Sequence, residues 1–559
     1  MFIASHSIYL FGQPFVWAQV MNTVQAQGVT PESIKTLLWL LMATFVIEVV
    51  GWAFHGPGRL LERANAFGVR VNYRRHLVKG TMTLPLEWHV DHHSGDTIDK
   101  IEKGANGLYQ FASSAFEIIY GSIQLVGSYC VLAYFSPPAA VIVGVMVLLT
   151  VWIVMRFDRV IVEQYRELSR AENRISESVF DAVSNVTTVI ILRVEKLVFE
   201  SIVHEIEKPR GLFNRNVRLN EWKWFWTSMC CTVMPIAVLG VYFWQHMGAA
   251  GGILIGSTYL LVQYLQKIGE TFSRFTTMYG DVLQRRAWVA NAELLANDFR
   301  SESFANHVLP RNWQQLEIEN LSFSYLGNHS NSHLSEINLA IEKGEKIAFV
   351  GETGSGKTTL LKVMRDLYHP QSLTLSVDGN IIPHGFEGIS RAIALVPQDP
   401  EIFATTILEN ITLGARHPTD FVRRFTDMAC FTEVADGLPN GFNSSIKEKG
   451  VNLSGGQQQR LALSRGLLAC HDKDIVLLDE PTSSLDAITE MKVYKNIFSG
   501  FVGKTVISSI HRLHLLPLFD RICMFEGGRI IAEGTLPELL SVCPKFASLW
   551  EAMQKSLSQ

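Results

Sequence analysis

Eight consecutive residues, Gly351-Glu352-Thr353-Gly354-Ser355-Gly356-Lys357-Thr358, have the spacing Gly-x-x-x-x-Gly-Lys-Thr. They stand directly behind Lys346-Ile347-Ala348-Phe349-Val350, an apolar run that reads as a buried strand. Glycines at these positions let backbone N–H groups close around phosphate oxygens, and a helix starting behind them points its positive end the same way. Lys357 can then reach the outer phosphates of a nucleoside triphosphate, and the Thr358 hydroxyl is placed for Mg²⁺. The expected cradle runs on to Thr359.

A second apolar run, Ile475-Val476-Leu477-Leu478, ends in Asp479-Glu480. An acid at the carboxyl end of a parallel strand is where a phosphate-binding loop protein holds its metal, so Asp479 is a candidate Mg²⁺ ligand. Between the two strands, Leu453-Ser454-Gly455-Gly456-Gln457 opens a helical run from Gln458 to Leu468. Its small residues at a helix N-terminus make a second phosphate cradle, with Ser454, Gly455, Gly456 and Gln457 as candidate contacts. A single chain has no need of two cradles around one nucleotide. Two chains arranged head to tail do.

The elements that must position these residues fall into two halves. Between Gly104 and Met155 the only charged residue is Glu117, and between Trp224 and Gln266 there is none, whereas from Tyr325 onward charges recur every few residues. Since a bilayer core needs about 20 mostly apolar residues per helix, the first half carries candidate spans. They are Phe2–Met21, Thr36–Phe54, Phe116–Phe135, Pro138–Val154, Phe225–Gln245 and Gly252–Gln266. The first is polar in places (Ser5, His6, Ser7, Gln13) and reads as the outer part of a helix whose cytoplasmic lead is absent. Spans three and four are joined by little more than Ser136-Pro137-Pro138. The second-to-third and fourth-to-fifth connections are long and basic, with Arg59, Arg63, Arg70, Arg74, Arg75 and Lys79 in one and Arg156, Arg159, Arg166, Arg170 and Arg174 in the other. That places both on the cytoplasmic side. Three- and four-residue apolar spacing across Val160–Val183 predicts that the helices continue out of the membrane.

Three features of this half are open to more than one reading. Trp88 to Asp96 contains His89, Asp91, His92, His93 and Asp96, residue types that bind metals, yet a short surface helix ending near Gly95 accounts for them. Trp222, Trp224 and Trp226 with Lys223 read as an interfacial anchor. Glu48, deep in the second span, must face a polar partner or a cavity, because a lone carboxylate in hydrocarbon costs a few kcal/mol or more.

Net charge is −4, and nothing in the charge distribution suggests a nucleic-acid partner. The seven cysteines are scattered without metal-ligand spacing, as expected of a reduced, cytoplasmic second half.

Taken together, the loop at Gly351–Thr358, Leu453–Gln457 and Leu478-Asp479-Glu480 resemble ABC transporters of the exporter fold. Further matches are Val396-Pro397-Gln398, Ser483-Ser484-Leu485-Asp486 and Ser509-Ile510-His511-Arg512-Leu513, and the resemblance covers nearly the whole chain. It implies an all-α transmembrane domain of six helices with long cytoplasmic extensions (1–296), a linker (297–313) and an α/β nucleotide-binding domain (314–559). Tyr325 would stack on adenine, Gln398 would sense Mg²⁺ and the attacking water, Glu480 would be the general base, and His511 would contact the γ-phosphate. Ser454 and Gly456 would complete the other subunit's site. Lys447 stands before the signature where relatives usually have glycine. The resemblance implies ATP and Mg²⁺ as cofactors and a dimer with a second copy or a homologous half-transporter. It implies export of an amphipathic small molecule or lipid across the bilayer in which the dimer sits, a bacterial inner membrane with the ATPase in the cytoplasm. Import of a siderophore-like ligand and an ATP-gated channel or regulator are the rivals.

Overall fold

The computed structural model describes residues 1–92, 94–247, 254–299, 309–310, 312–325, 333–399, 401–446 and 453–557. The chain divides into two compact units, Met1–Leu84 with Trp88–Ser301 and Pro85–Glu87 with Glu302–Gln559.

The first unit is entirely helical among the described residues. It begins with α1 (Phe2–Ser7), a π-turn (Ile8–Gly12) and α2 (Gln13–Gln27). Ser33, whose hydroxyl donates to the Gly28 carbonyl at 2.8 Å, ties the tight turn into α3 (Ser33–Thr81). At 1.5 Å per residue, the 49 residues of α3 reach roughly 70 Å, more than twice the ~30 Å hydrocarbon core. The expected extension beyond the membrane is therefore one uninterrupted helix. α4 (Leu86–Asp91), α5 (Ser94–Ser113), α6 (Ala115–Phe135) and α7 (Pro137–Ser184) follow. Pro137 at the start of α7 suits a position whose N–H has no helical partner. α8 (Val186–Ile191) and α9 (Glu195–Glu207) precede α10 (Arg210–Gln245) and α11 (Ile255–Asn297).

Among the described residues, four stretches are long and apolar enough to cross a membrane by length and composition: Ser33–Thr81, Ser94–Phe135, Pro137–Ser184 and Glu195–Gln245. They contain the second to fifth expected spans. The first expected span is helical but interrupted by its π-turn, and the last opens α11, with residues 252 and 253 outside the described set. Buried positions on α11 (Leu260, Leu261, Tyr264, Leu265, Ile268, Phe272) recur at three- and four-residue intervals, the inward stripe of a packed helix. They meet Leu10, Leu132, Val143, Met234 and Val238 in one apolar core. Close helix approach needs small residues: a Cβ on Gly256 would lie 2.3 Å from the Ala18 carbonyl oxygen of α2.

Two sequence expectations change here. The short helix ends at Asp91, and Gly95 lies in the first turn of α5 rather than closing it. His92 stacks on Trp88 at 4.0 Å, and the described residues contain no cluster of three metal-ligating side chains; His93 lies outside them. Lys223 is not an interfacial anchor: its ammonium is buried 3.0 Å from Asp158 of α7, while Trp222 and Trp226 on the same helix remain exposed.

Among the described residues, the second unit holds two sheets. β1 (Gln315–Phe323), β2 (Leu334–Glu342), β4 (Ser372–Val377) and β5 (Asn380–Ile381) form an antiparallel sheet in the order β2-β1-β4-β5. The larger sheet runs β10-β9-β3-β8-β7-β6, from β3 (Lys346–Gly351), β6 (Ile393–Val396), β7 (Ile475–Asp479), β8 (Thr505–Ser509), β9 (Arg521–Glu526) and β10 (Arg529–Gly534). All but β10 pair in parallel, and β7 and β8 are buried at every position, as parallel strands covered on both faces must be. α12 (Lys357–Met364), α13 (Ile407–Thr412), α14 (Thr419–Met428), α15 (Thr432–Asp436), α16 (Gly455–Ala469) and α17 (Ala487–Gly500) are helices of this unit. Leu309 and Trp313, from the segment expected to be linker, are buried in the core between the sheets. Most other residues of that segment from 300 on, and Lys447 in the other departure, lie outside the described set.

Candidate functional site

Parallel pairing brings the carboxyl ends of β3, β8 and β7 side by side, so the loop after β3, the acids ending β7 and the histidine after β8 share one sheet edge. Gly351, Gly354 and Gly356 all have positive φ, and a Cβ at Gly351 would sit 2.4 Å from the Phe525 carbonyl oxygen. Any side chain there would close the loop. Gly356 caps α12, which puts the first N–H groups of that helix behind the loop. Glu352, Thr353 and Ser355 complete the turn, and Thr359 sits in the first turn of α12.

Lys357 is buried and donates to the Gly351 and Glu352 carbonyls at 2.8 and 3.0 Å. Burial lowers its pKa, while the Glu480 and Asp479 carboxylates oppose that shift. Thr358 donates its hydroxyl to Asp479 Oδ1 at 2.8 Å. Ser509, at the end of β8, donates to the same oxygen at 2.8 Å. The second hydroxyl was not anticipated from sequence; its only signal is its place as the last residue of the strand leading to His511. A carboxylate and a hydroxyl meeting beside a glycine-rich loop are hard oxygen donors, which fit Mg²⁺ rather than a soft metal.

Glu480 is the centre of the cluster. Gln398 Nε2 donates to Glu480 Oε2 at 3.0 Å, and His511 Nε2 lies 2.7 Å from Oε1. The Ser509 hydroxyl also accepts from the Glu480 N–H at 3.1 Å. Glu480 has φ +46°, a left-handed conformation that a non-glycine residue holds only where its surroundings enforce it. Burial raises its pKa; the nearby His511 pulls it down, the Asp479 carboxylate pushes it up, and Lys357 lowers it. The structure thus brings together Lys357, Thr358, Gln398, Asp479, Glu480 and His511. Tyr325 sits apart from that hydrogen-bonded group, edge-on to Phe323, His333 and Tyr368 at 4.9, 4.9 and 5.2 Å between ring centres.

Ser454 caps α16. Its hydroxyl accepts from the Gln457 N–H at 3.3 Å, and Gln457 Oε1 accepts from the Ser454 N–H at 2.9 Å. Ser454 and Gly455 are exposed, and no hydrogen bond or ion pair among the described residues joins Ser454–Gln457 to the cluster around Glu480. The link runs two residues further on: Gln459 donates to Ser483 Oγ at 2.9 Å and accepts from the Ser484 N–H at 2.7 Å. Arg512, next to His511, donates to the Leu485 carbonyl at 2.6 Å and reaches Glu490 at 3.3 Å. Gln459, Arg512 and Glu490 thus tie the signature helix, the Ser483–Asp486 turn and the histidine loop into one network. None was singled out from sequence, because each is an ordinary polar residue at an ordinary helical or loop position.

Two family models match the chain: the ABC transporter transmembrane region over residues 1–266 and the ABC transporter over residues 334–483. A lactococcin transport/processing ATP-binding protein of Lactococcus lactis is 25% identical over 91% of this chain and 70% of its own. The mitochondrial iron-sulfur clusters transporter ATM1 of Candida glabrata is 27% identical over 94% of this chain and 74% of its own. An ATP-dependent lipid A-core flippase of Ralstonia nicotianae is 37% identical, over 42% of this chain and 40% of its own. A solved bacterial Atm1-family ABC exporter with ATP bound has the same fold, with a TM-score of 0.87 over 99% of this chain and 97% of that one, at 20% identity. With a helical membrane unit and an α/β ATPase unit of this fold in one polypeptide, the chain belongs to the ABC transporters and is a multi-pass membrane protein whose ATPase is coupled to transport.

Proposed function

We propose that two copies of this chain, or this chain and a homologous half, form an exporter that moves an amphipathic small molecule or lipid across a membrane, the bacterial inner membrane if the chain is bacterial. The observation that carries the ATPase half of this reading is Glu480, held between Gln398 and His511 beside the Asp479–Thr358 pair. In that role Glu480 takes a proton from the attacking water, and the amide oxygen of Gln398, free of its bond to Glu480, orients that water. His511 contacts the γ-phosphate, residues 351–359 hold the phosphate chain, and the half-buried Tyr325 face receives adenine. Thr358, Asp479 and Gln398 would hold Mg²⁺, which would offset the negative charge on the phosphate oxygens.

Ser454, Gly455, Gly456 and Gln457 of the partner subunit complete the site. The exposure of Ser454 and Gly455 at the start of α16 supports this, since it leaves that helix N-terminus open to a nucleotide held by another chain. Both cradles bind ATP only when two chains close on it, so ATP favours the closed pair and hydrolysis releases it. The relatives named for transport of lactococcin and for flipping of a lipid A core support export of amphipathic cargo. Reconstitution in vesicles with outward-facing ATPase units should give ATP-dependent accumulation of cargo inside. Loss of cargo from those vesicles on adding ATP would support import, and single-channel conductance would support a gated pore.

A further inference from the structure

The membrane unit carries an open cavity of roughly 900 Å³ among α6, α10 and α11. A cavity of this size takes a drug-sized molecule. Its lining follows two helical stripes. On α10 it is Trp224, Ser228, Cys231 with Thr232, and Pro235; on α11 it is Gln266, Glu270, Ser273 with Arg274, Thr277 and Asp281. Both advance by three or four residues, so each helix turns one continuous face to the space. Glu117 of α6 closes it.

Depth follows from the helix rise. Counted from Phe135, Glu117 is about 27 Å along α6, and counted from Ile255, Glu270 is about 22 Å along α11. Those starting points are on the same membrane face, because short connections join α6 to α7 and α10 to α11. Against a core of about 30 Å, Glu270 therefore lies within the bilayer and Glu117 near its inner boundary. Asp281, about 39 Å along α11, lies beyond it. The carboxylates lining the cavity thus lie towards the leaflet that faces the long helical extensions.

Three carboxylates and one guanidinium line this space, a net charge of −2 from Glu117, Glu270, Asp281 and Arg274. The lone cation is engaged, with its guanidinium carbon 5.0 Å from the centre of the Tyr120 ring. Asp281 has a partner, Arg285, at 3.6 Å, and Arg285 is itself outside the lining. Lys267, next along α11, turns away to the Leu10 carbonyl at 3.4 Å. Glu117 and Glu270 form no ion pair among the described residues, although carboxylates at this depth are costly unless a charge or cavity water meets them. By contrast, Glu48 is outside the cavity and accepts from Tyr9 and Gln13 at 3.4 and 3.3 Å. The remaining wall is partly apolar, and Trp224 offers an indole to a cation.

We infer that the cavity selects organic cations with an apolar body, lipophilic amines or quaternary ammonium compounds, with Glu270 and Glu117 as charge partners. Anionic amphiphiles are disfavoured by the same two groups. This rests on the export reading only in taking the cavity for the cargo site. Binding without ATP isolates it from that reading. The purified full-length protein in lipid nanodiscs is titrated with crystal violet, a triarylmethane cation, and bromophenol blue, a triarylmethane anion, with empty nanodiscs subtracted. The cation should bind at least tenfold more tightly, and Glu270→Gln with Glu117→Gln should remove most of that preference. Glu48→Gln should keep it. Equal affinity of the wild-type protein for the two dyes, or tighter binding of the anion, overturns the inference, and neither result depends on a variant folding. A preference that survives the double substitution in a protein with unchanged melting temperature also overturns it. Cation-selective binding without ATP-driven flux would sink the export reading and leave the cavity's selectivity standing.

Discussion

Replacing Glu480 by Gln keeps the side chain's length and its hydrogen-bonding ends while removing the proton acceptor. Its carboxylate has contacts of 3.0 Å to Gln398 and 2.7 Å to His511; the amide oxygen can still accept from Gln398 and the amide N–H can donate to an unprotonated His511 Nε2, so the loop geometry should persist. What is lost is base catalysis, worth about 10²–10⁴ in rate, or roughly 2.7–5.5 kcal/mol of barrier. Glu480→Asp makes a different test. It keeps the base but withdraws it by about one methylene from both partners, and a displacement near 1 Å can cost ~10²-fold. Single-turnover hydrolysis of ATP with nucleotide binding measured in parallel should show binding nearly unchanged in Glu480→Gln. The closed ATP-bound pair should accumulate, because hydrolysis is the step that reopens it. Steady-state ATPase near the wild-type rate in Glu480→Gln would remove this residue from the mechanism. Equal impairment of binding and hydrolysis would show instead that its role is to hold Gln398 and His511 in place.

Other outcomes follow from the same contacts. Because burial holds the Glu480 pKa above the ordinary carboxylate range, the acid limb of the kcat–pH profile should lie higher than an exposed glutamate would give. The neutral form is favoured in the fold, so this group's stabilising contribution is greatest at low pH and fades as pH rises through the folded value; an acid limb at the ordinary glutamate position would contradict the assignment. Lys223→Met leaves Asp158 buried without its partner and should destabilise the membrane unit by ~3–5 kcal/mol, while adding Asp158→Leu should recover much of that loss in melting temperature. Equal loss in the single and double variants would show that the pair's charge is not the cause. Burial pushes the Cys470 and Cys523 thiols up to about 12, so maleimide at neutral pH should label neither until the protein is denatured, and labelling of either in the native protein would show that the ATPase core opens. A Ser355→Cys, Gly455→Cys variant should cross-link between subunits when ATP is present, and bonds confined to single chains would refute the head-to-tail arrangement.

The nucleotide-binding chemistry was legible in the residues because it depends on local pattern. A strand, a glycine-rich turn and a helix start within about a dozen residues, and only glycine tolerates the positive φ and close approach found at Gly351. The membrane half was legible for a related reason: a bilayer imposes length and apolarity on each helix, and both are linear properties of the chain. What depended on chain crossings was not. Ser509 reaches Asp479 only because β8 lies beside β7 in the sheet, and Arg512 reaches Leu485 only because the loops after β8 and β7 emerge at the same edge. Lys223 looked like part of an aromatic belt until the packing of α10 on α7 placed it against Asp158, sixty-five residues away. Glu270 stood out least, one charge on a long helix past the last apolar span. Its partners in the cavity, Glu117 and Trp224, lie on two other helices, and spacing along one helix carries no information about the face another helix turns towards it.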